Sequence, residues 1–128
     1  MRTLLLMIGL TLAACGGATH GPVFNGCQAP SDGILLLRWT IRGAAPSAVT
    51  CAGVDHLVLS LDTPSCGGAT IEPVPCALDK FRYDNLPRGP ADIALAAVDA
   101  AGNLLSSGQT TANLSTSSSA PPATLDLR

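Results

Sequence analysis

The chain has 128 residues, enough for one domain and too few for two ordinary ones. Apolar residues make up 47% and charged residues 12%, a balance that excludes a charge-driven disordered chain, and a formal net charge of −2 offers no basic footprint for nucleic acid. One Trp, one Tyr and two Phe leave little for a stacking platform along a nucleic acid or a long glycan.

Met1-Arg2 carries one positive charge, and Thr3 to Leu12 follow as an apolar run. The run is shorter than the roughly 20 residues a membrane-spanning helix needs, and it has the length and flanks of a secretory h-region. Next comes Leu12-Ala13-Ala14-Cys15-Gly16, which resembles the lipobox of bacterial lipoproteins. That resemblance implies a signal peptide over residues 1–14, cleavage before Cys15, and a diacylglyceryl group on the Cys15 thiol. It also implies acylation of the new N-terminus, as with palmitate. Several chains bind a bilayer durably where one binds marginally, so this is an anchor without a transmembrane helix. Gly16, a residue other than Asp after the anchor, implies sorting to the outer membrane.

Residues 15–32 form a lipid-anchored tether, aperiodic and rich in Gly, Pro and Ala, with His20 read as a solvated residue within it. The domain proper spans residues 33–128. Ile34–Arg42 alternates, with Leu35, Leu37, Trp39 and Ile41 on one face and Arg38, Thr40 and Arg42 on the other. The second face looks to solvent, so Arg38 and Thr40 are expected to contribute little to stability. Val54–Leu61 sets Leu57, Leu59 and Leu61 against His56, Val58 and Ser60. Ala69–Val74 and Lys80–Tyr83 are shorter strands, the latter placing Phe81 and Tyr83 together. Ala91–Val98 turns Ile93, Leu95 and Ala97 inward, and Leu104–Thr111 and Leu125–Arg128 complete the set. The Ala-rich stretch 91–101 has helical propensity, but Asp99-Ala-Ala-Gly102-Asn103 reads as a turn between alternating runs. Ser115–Pro122 is of low complexity. The expected fold is all-β, an antiparallel two-sheet sandwich of about seven strands, Ig-like or transthyretin-like. Leu35, Leu37 and Trp39 should meet Leu57, Leu59, Leu61, Ile93 and Leu95 in its core.

Leu86-Pro87-Arg88-Gly89, an alternating strand, then Asp99-x-x-Gly102 resembles the end of a carboxypeptidase-regulatory-like or Cna-B-like domain. Ala91 stands where that pattern has an aromatic residue. The resemblance implies a transthyretin-like sandwich without enzymatic activity of its own.

Four cysteines remain besides Cys15: Cys27, Cys51, Cys66 and Cys76. In an exported chain an even set implies two disulfides, with three possible connectivities. If Val54–Leu61 and Ala69–Val74 form a hairpin, Cys51 and Cys76 fall at its open end and Cys66 at its tip. Cys27, ahead of the first strand, reaches that same tip. The expected bridges are therefore Cys51–Cys76 and Cys27–Cys66. No C-x-x-C pair occurs, and the sequence assigns no zinc site or other metal.

Signatures of catalysis are missing from the sequence. There is no G-x-S-x-G, no S-x-x-K and no calcium loop, and the aspartates are dispersed at turns and strand ends. His56 is read as a surface residue and Trp39 as core. The Asn113-Leu114-Ser115 sequon carries little meaning in a bacterium. Phe81, Arg82, Tyr83 and Arg88 form the one recognition patch the sequence suggests. The expected protein is a non-enzymatic envelope lipoprotein, an interaction or structural module without a cofactor. Its expected partners are the membrane, through the anchor, and an unidentified envelope protein or glycan, with no nucleic acid. The alternative is a tethered binder of a small ligand or glycan, which an open groove with Trp39 or Tyr83 exposed would favour.

Overall fold

A computed structural model describes residues 32–64, 66–78, 80–116 and 121–128. The alternating segments become seven strands: β1 (Gly33–Ile41), β2 (His56–Thr63), β3 (Gly67–Val74), β4 (Phe81–Leu86), β5 (Gly89–Val98), β6 (Leu104–Leu114) and β7 (Ala123–Leu127). They form a three-stranded sheet, β4-β1-β7, packed on a four-stranded sheet, β3-β2-β5-β6. The chain is thus a two-sheet β-sandwich. Because side chains alternate across a strand, each sheet turns one row of aliphatic residues inward. Leu35, Leu37, Trp39 and Ile41 from β1 are buried with Leu57, Leu59 and Leu61 from β2 and Ile93, Leu95 and Ala97 from β5. Leu125 and Leu127 from β7 close the same core.

The Ala-rich segment is strand, not helix. β5 is paired on both sides, by β2 and by β6. A ladder on each side outweighs the modest helical preference of alanine. The turn after it forms as the residues dictate. Asp99 Oδ1 accepts the backbone N–H groups of Ala101 at 2.9 Å and Asn103 at 2.8 Å. Gly102 sits at φ +83°, a conformation that costs a residue without Cβ little.

Several boundaries shift. β2 starts at His56 rather than Val54, because Val54 N–H closes a turn on Cys51 O before the chain meets β5. β4 runs on to Leu86, past a bulge where Asn85 adopts φ +61°. The bulge breaks the alternation, which hides the second half of that strand from a period-two reading. One pairing departs from the antiparallel expectation. β1 and β7 run parallel, from Leu37 opposite Ala123 to Ile41 opposite Leu127. β6 and β7 belong to different sheets, so the chain crosses the sandwich between them and the hairpin rule does not apply.

The β6 and β7 edges nevertheless meet. Ser107 and Arg128 exchange two backbone hydrogen bonds, of 3.2 and 3.0 Å, and stitch one side of the sandwich. Gly108 permits this approach, since a Cβ there would lie 2.5 Å from the Asp126 carbonyl oxygen. Gly108→Ala should therefore force the two edges apart and destabilise the domain by about 1–3 kcal/mol, as overpacking does. Ser107→Ala, on an exposed side chain of the same strand, should stay within about 0.5 kcal/mol. Urea denaturation of the two variants checks both figures.

Candidate functional site

Trp39, at 3% exposure, is a core residue. Its indole N–H donates to the Cys76 carbonyl oxygen at 3.0 Å, inside the core. A buried indole finds a partner for its one polar group in this way. Cys76 is in turn joined to Cys51, and the two bridge the loop before β2 to the chain after β3. Cys66, at the β2–β3 tip, is also disulfide-bonded. Cys27, its expected partner, lies outside the described residues, as do Cys15, His20 and the leader.

The expected recognition patch is divided by β4. Phe81 and Tyr83 turn toward the core and pack against it half-buried, with ring centroids 6.1 Å apart. Arg82 alternates to the exposed side, where Nε donates to Asp84 Oδ1 at 2.8 Å. Arg88, beyond the end of β4, is held by Asp32 through an Nε–Oδ1 hydrogen bond of 2.6 Å. The four side chains therefore do not converge on one surface. Trp39, though buried, is among the residues that line a hollow of about 560 Å³ with Arg38, Thr40 and Leu125, and Phe81 and Tyr83 are half-buried.

Charged groups on this domain act mostly as local clamps. Asp126 Oδ1 accepts from Thr40 Oγ1 at 2.6 Å and from Gly43 N–H at 2.8 Å, tying β7 to β1 and to the turn after it. Thr40 is thus not the neutral outer-face residue that alternation alone suggests. The Thr40 hydroxyl, then the Gly43 amide, hold the Asp126 carboxyl below the usual carboxylate value. The Asn103 amide does the same for Asp99, and the Arg88 guanidinium for Asp32. His56 lies between two carboxylates, with Nδ1 2.7 Å from Asp55 and Nε2 3.5 Å from Glu72. Both raise its pKa, Asp55 the more. Among the described residues no three His, Cys, Asp or Glu side chains gather closely enough to hold a metal ion.

The surface feature that sequence reasoning missed lies at one end of the sandwich. The exposed large aliphatic residues of the described chain are Val49, Leu78, Leu104 and Leu105, at 83, 37, 65 and 44% exposure. Leu104 opposes Val98 where β2 begins. Leu78 follows Cys76, which is bonded to Cys51 at that end. Val49 and Leu105 line a shallow hollow of about 530 Å³ with Arg42, Ala52 and Val54. This pole is opposite the one where β1 starts, at which Gly33 opposes Leu86 and Ile34 N–H bonds Ser115 O. A signal was present in the sequence. Leu104-Leu105 is an apolar doublet in an alternating strand, and the register slips there, since Val98 pairs Leu104 while Ala97 pairs Ser106.

No protein-family model matches this chain, and no curated protein or solved structure shows significant similarity to it.

Two pH dependences follow from these clamps. Carboxyls held below their unfolded value stabilise the fold above that value, and the contribution is lost as pH falls through the folded pKa. Asp126→Asn should be less stable than the native chain at neutral pH, and the gap should close as pH falls from about 5 to about 2. The opposite sign holds for His56. Its raised pKa contributes stability that is full below the unfolded value near 6.5 and lost as pH rises through the folded pKa. NMR titration of His56 should give a midpoint above 6.5, and His56→Gln should abolish that part of the stability profile.

Proposed function

We propose that this chain is a lipid-anchored, non-enzymatic protein of the bacterial cell envelope, sorted to the outer membrane. Its β-sandwich serves as an interaction module. Leu12-Ala13-Ala14-Cys15 supports the anchor, and the apolar run before it supports export. Among the described residues no helix is long and apolar enough to cross a membrane. The two-sheet architecture supports the carboxypeptidase-regulatory-like or Cna-B-like reading of Leu86-Pro87-Arg88-Gly89 and Asp99-x-x-Gly102.

One observation carries the interaction role. Val49 and Leu105 line one hollow at the pole away from the start of β1, and Leu104 is exposed beside Leu105. β1 is where the tether joins the domain, so this pole is the part carried farthest from the attachment point. Exposed aliphatic side chains gathered at one end of a domain form a candidate contact surface. The partner is an envelope protein that covers the pole.

Two measurements test this. Cys15→Ser should lose the lipid mass and leave the detergent fraction, and membrane retention of an unlipidated chain would contradict the anchor. A photo-crosslinking residue at Leu104 should give a discrete protein adduct in the native envelope. The same residue at exposed Thr111, toward the other pole, should give none. Identical adducts from both positions would contradict the polar placement of the site.

A further inference from the structure

The hollow at the apolar pole has one charged residue in its lining, Arg42. Around it Ile41 is buried, Val54 half-buried, and Val49 and Leu105 exposed. Other arginines are neutralised by an aspartate: Arg82 by Asp84, Arg88 by Asp32 and Arg128 by Asp126. Arg42 forms no such ion pair among the described residues. The acids of the neighbouring segments are already engaged. Asp55 lies against His56, Asp99 accepts from the amides of its own turn, and Asp126 accepts from Thr40 and Gly43. The backbone singles out the same residue. Ile41 and Ala44 exchange two hydrogen bonds, of 2.8 and 3.0 Å, around a two-residue turn with Arg42 at φ +49° and Gly43 at φ +79°. Asn-Gly is the favoured pair for a turn with both central residues at positive φ. Asparagine would form it at lower conformational cost, so the guanidinium is what the native residue adds. The loop that carries Val49 is fixed as well. Ser47 N–H donates to Thr50 Oγ1 at 2.8 Å, Thr50 N–H to Ser47 Oγ at 3.1 Å, and Cys51 is bonded to Cys76.

We propose that this hollow receives a protein segment that sets an aliphatic side chain beside a carboxylate, the side chain against Val49 and Leu105 and the carboxylate on Arg42. The proposal rests on the reading of this pole as the contact surface and names the chemistry of the partner. Complementarity selects the occupant. The aliphatic walls gain nothing from a wholly polar segment. A wholly aliphatic or basic segment would cover the Arg42 guanidinium without a partner, which is costly for a charge. A carboxylate takes that place with charge-assisted hydrogen bonds and fixes the register of the contact. The hollow is shallow, so it buries one or two side chains and would leave most of a lipid acyl chain in water. Turn and loop are both held before binding, so little ordering is needed when the partner arrives.

The test uses the full chain in its native envelope, with a photo-crosslinking residue at Leu104 and residue 42 varied. Arg42→Lys should keep part of the protein adduct. Arg42→Asn and Arg42→Glu should each lose it severalfold, the charge reversal more completely. Asparagine suits the turn, so the thermal midpoint of Arg42→Asn should be no lower than that of the native chain, which separates a lost contact from a lost fold. The crosslinked partner peptide is then mapped by mass spectrometry. Changing its acidic residue to Lys should remove the adduct with native Arg42 and restore it with Arg42→Glu. Undiminished adducts in both Arg42→Asn and Arg42→Glu would overturn the proposal and leave the pole as a contact surface. No adduct from the native chain would instead overturn the reading of the pole, and this proposal with it. An adduct with lipid, or with a second copy of this chain, would overturn the choice of occupant.

Discussion

The two sheets are held to one another at a point where, among the described residues, a buried polar contact crosses the apolar core. The Trp39 indole N–H reaches from β1, the centre of the three-stranded sheet, to the carbonyl of Cys76, just past the end of β3 in the other sheet. Both groups are buried, so neither has water as an alternative partner, and losing one strands the other. The same Cys76 is covalently fixed to Cys51 across a separation of 25 residues. Loop closure of that length stabilises a fold by about 3.5 kcal/mol on the chain-entropy view. Small domains need such supplements, because a core of this size leaves little net stability. The Leu rows of β1, β2 and β5 supply most of the burial. Trp39 and the bridge fix which end of one sheet lies over which end of the other.

Much of this was legible in the residues. β1, β2, β5 and their inward rows follow from alternation, because burying one face of a strand forces a period of two. The Cys51–Cys76 bridge follows from placing both residues at the open end of one hairpin, an inference that needs only strand direction. What stayed hidden is what alternation cannot encode. The parallel β1–β7 pair depends on a crossover between sheets. The second half of β4 lies past a bulge at Asn85. The Thr40–Asp126 bond joins residues 86 apart in sequence, so no local pattern announces it. The candidate site was the least legible part. Phe81, Arg82, Tyr83 and Arg88 are close in sequence, yet the two faces of β4 send the rings inward and Arg82 outward. The hollow lined by Val49 and Leu105 joins the β1–β2 loop to the start of β6, two segments that only the fold brings together.

Under the proposed reading this scaffold acts through its surface. The interior is filled by aliphatic side chains, and most of the charged groups are engaged in short local clamps. That leaves the exposed aliphatic residues at one pole as the feature on which the proposed reading relies. The exposure of Leu104 and Leu105 there goes with the register slip at the start of β6.

Trp39 belongs to the structural core and the proposed interaction surface lies elsewhere, and denaturation of two variants separates those roles most directly. Trp39→Ala, with both disulfides intact, should lower unfolding free energy by about 3–5 kcal/mol, the range for truncating a buried aromatic residue. Val49→Ser, at 83% exposure on the pole, should change it by less than about 0.5 kcal/mol. Small and equal shifts for both would contradict the account and return Trp39 to the surface as a binding residue.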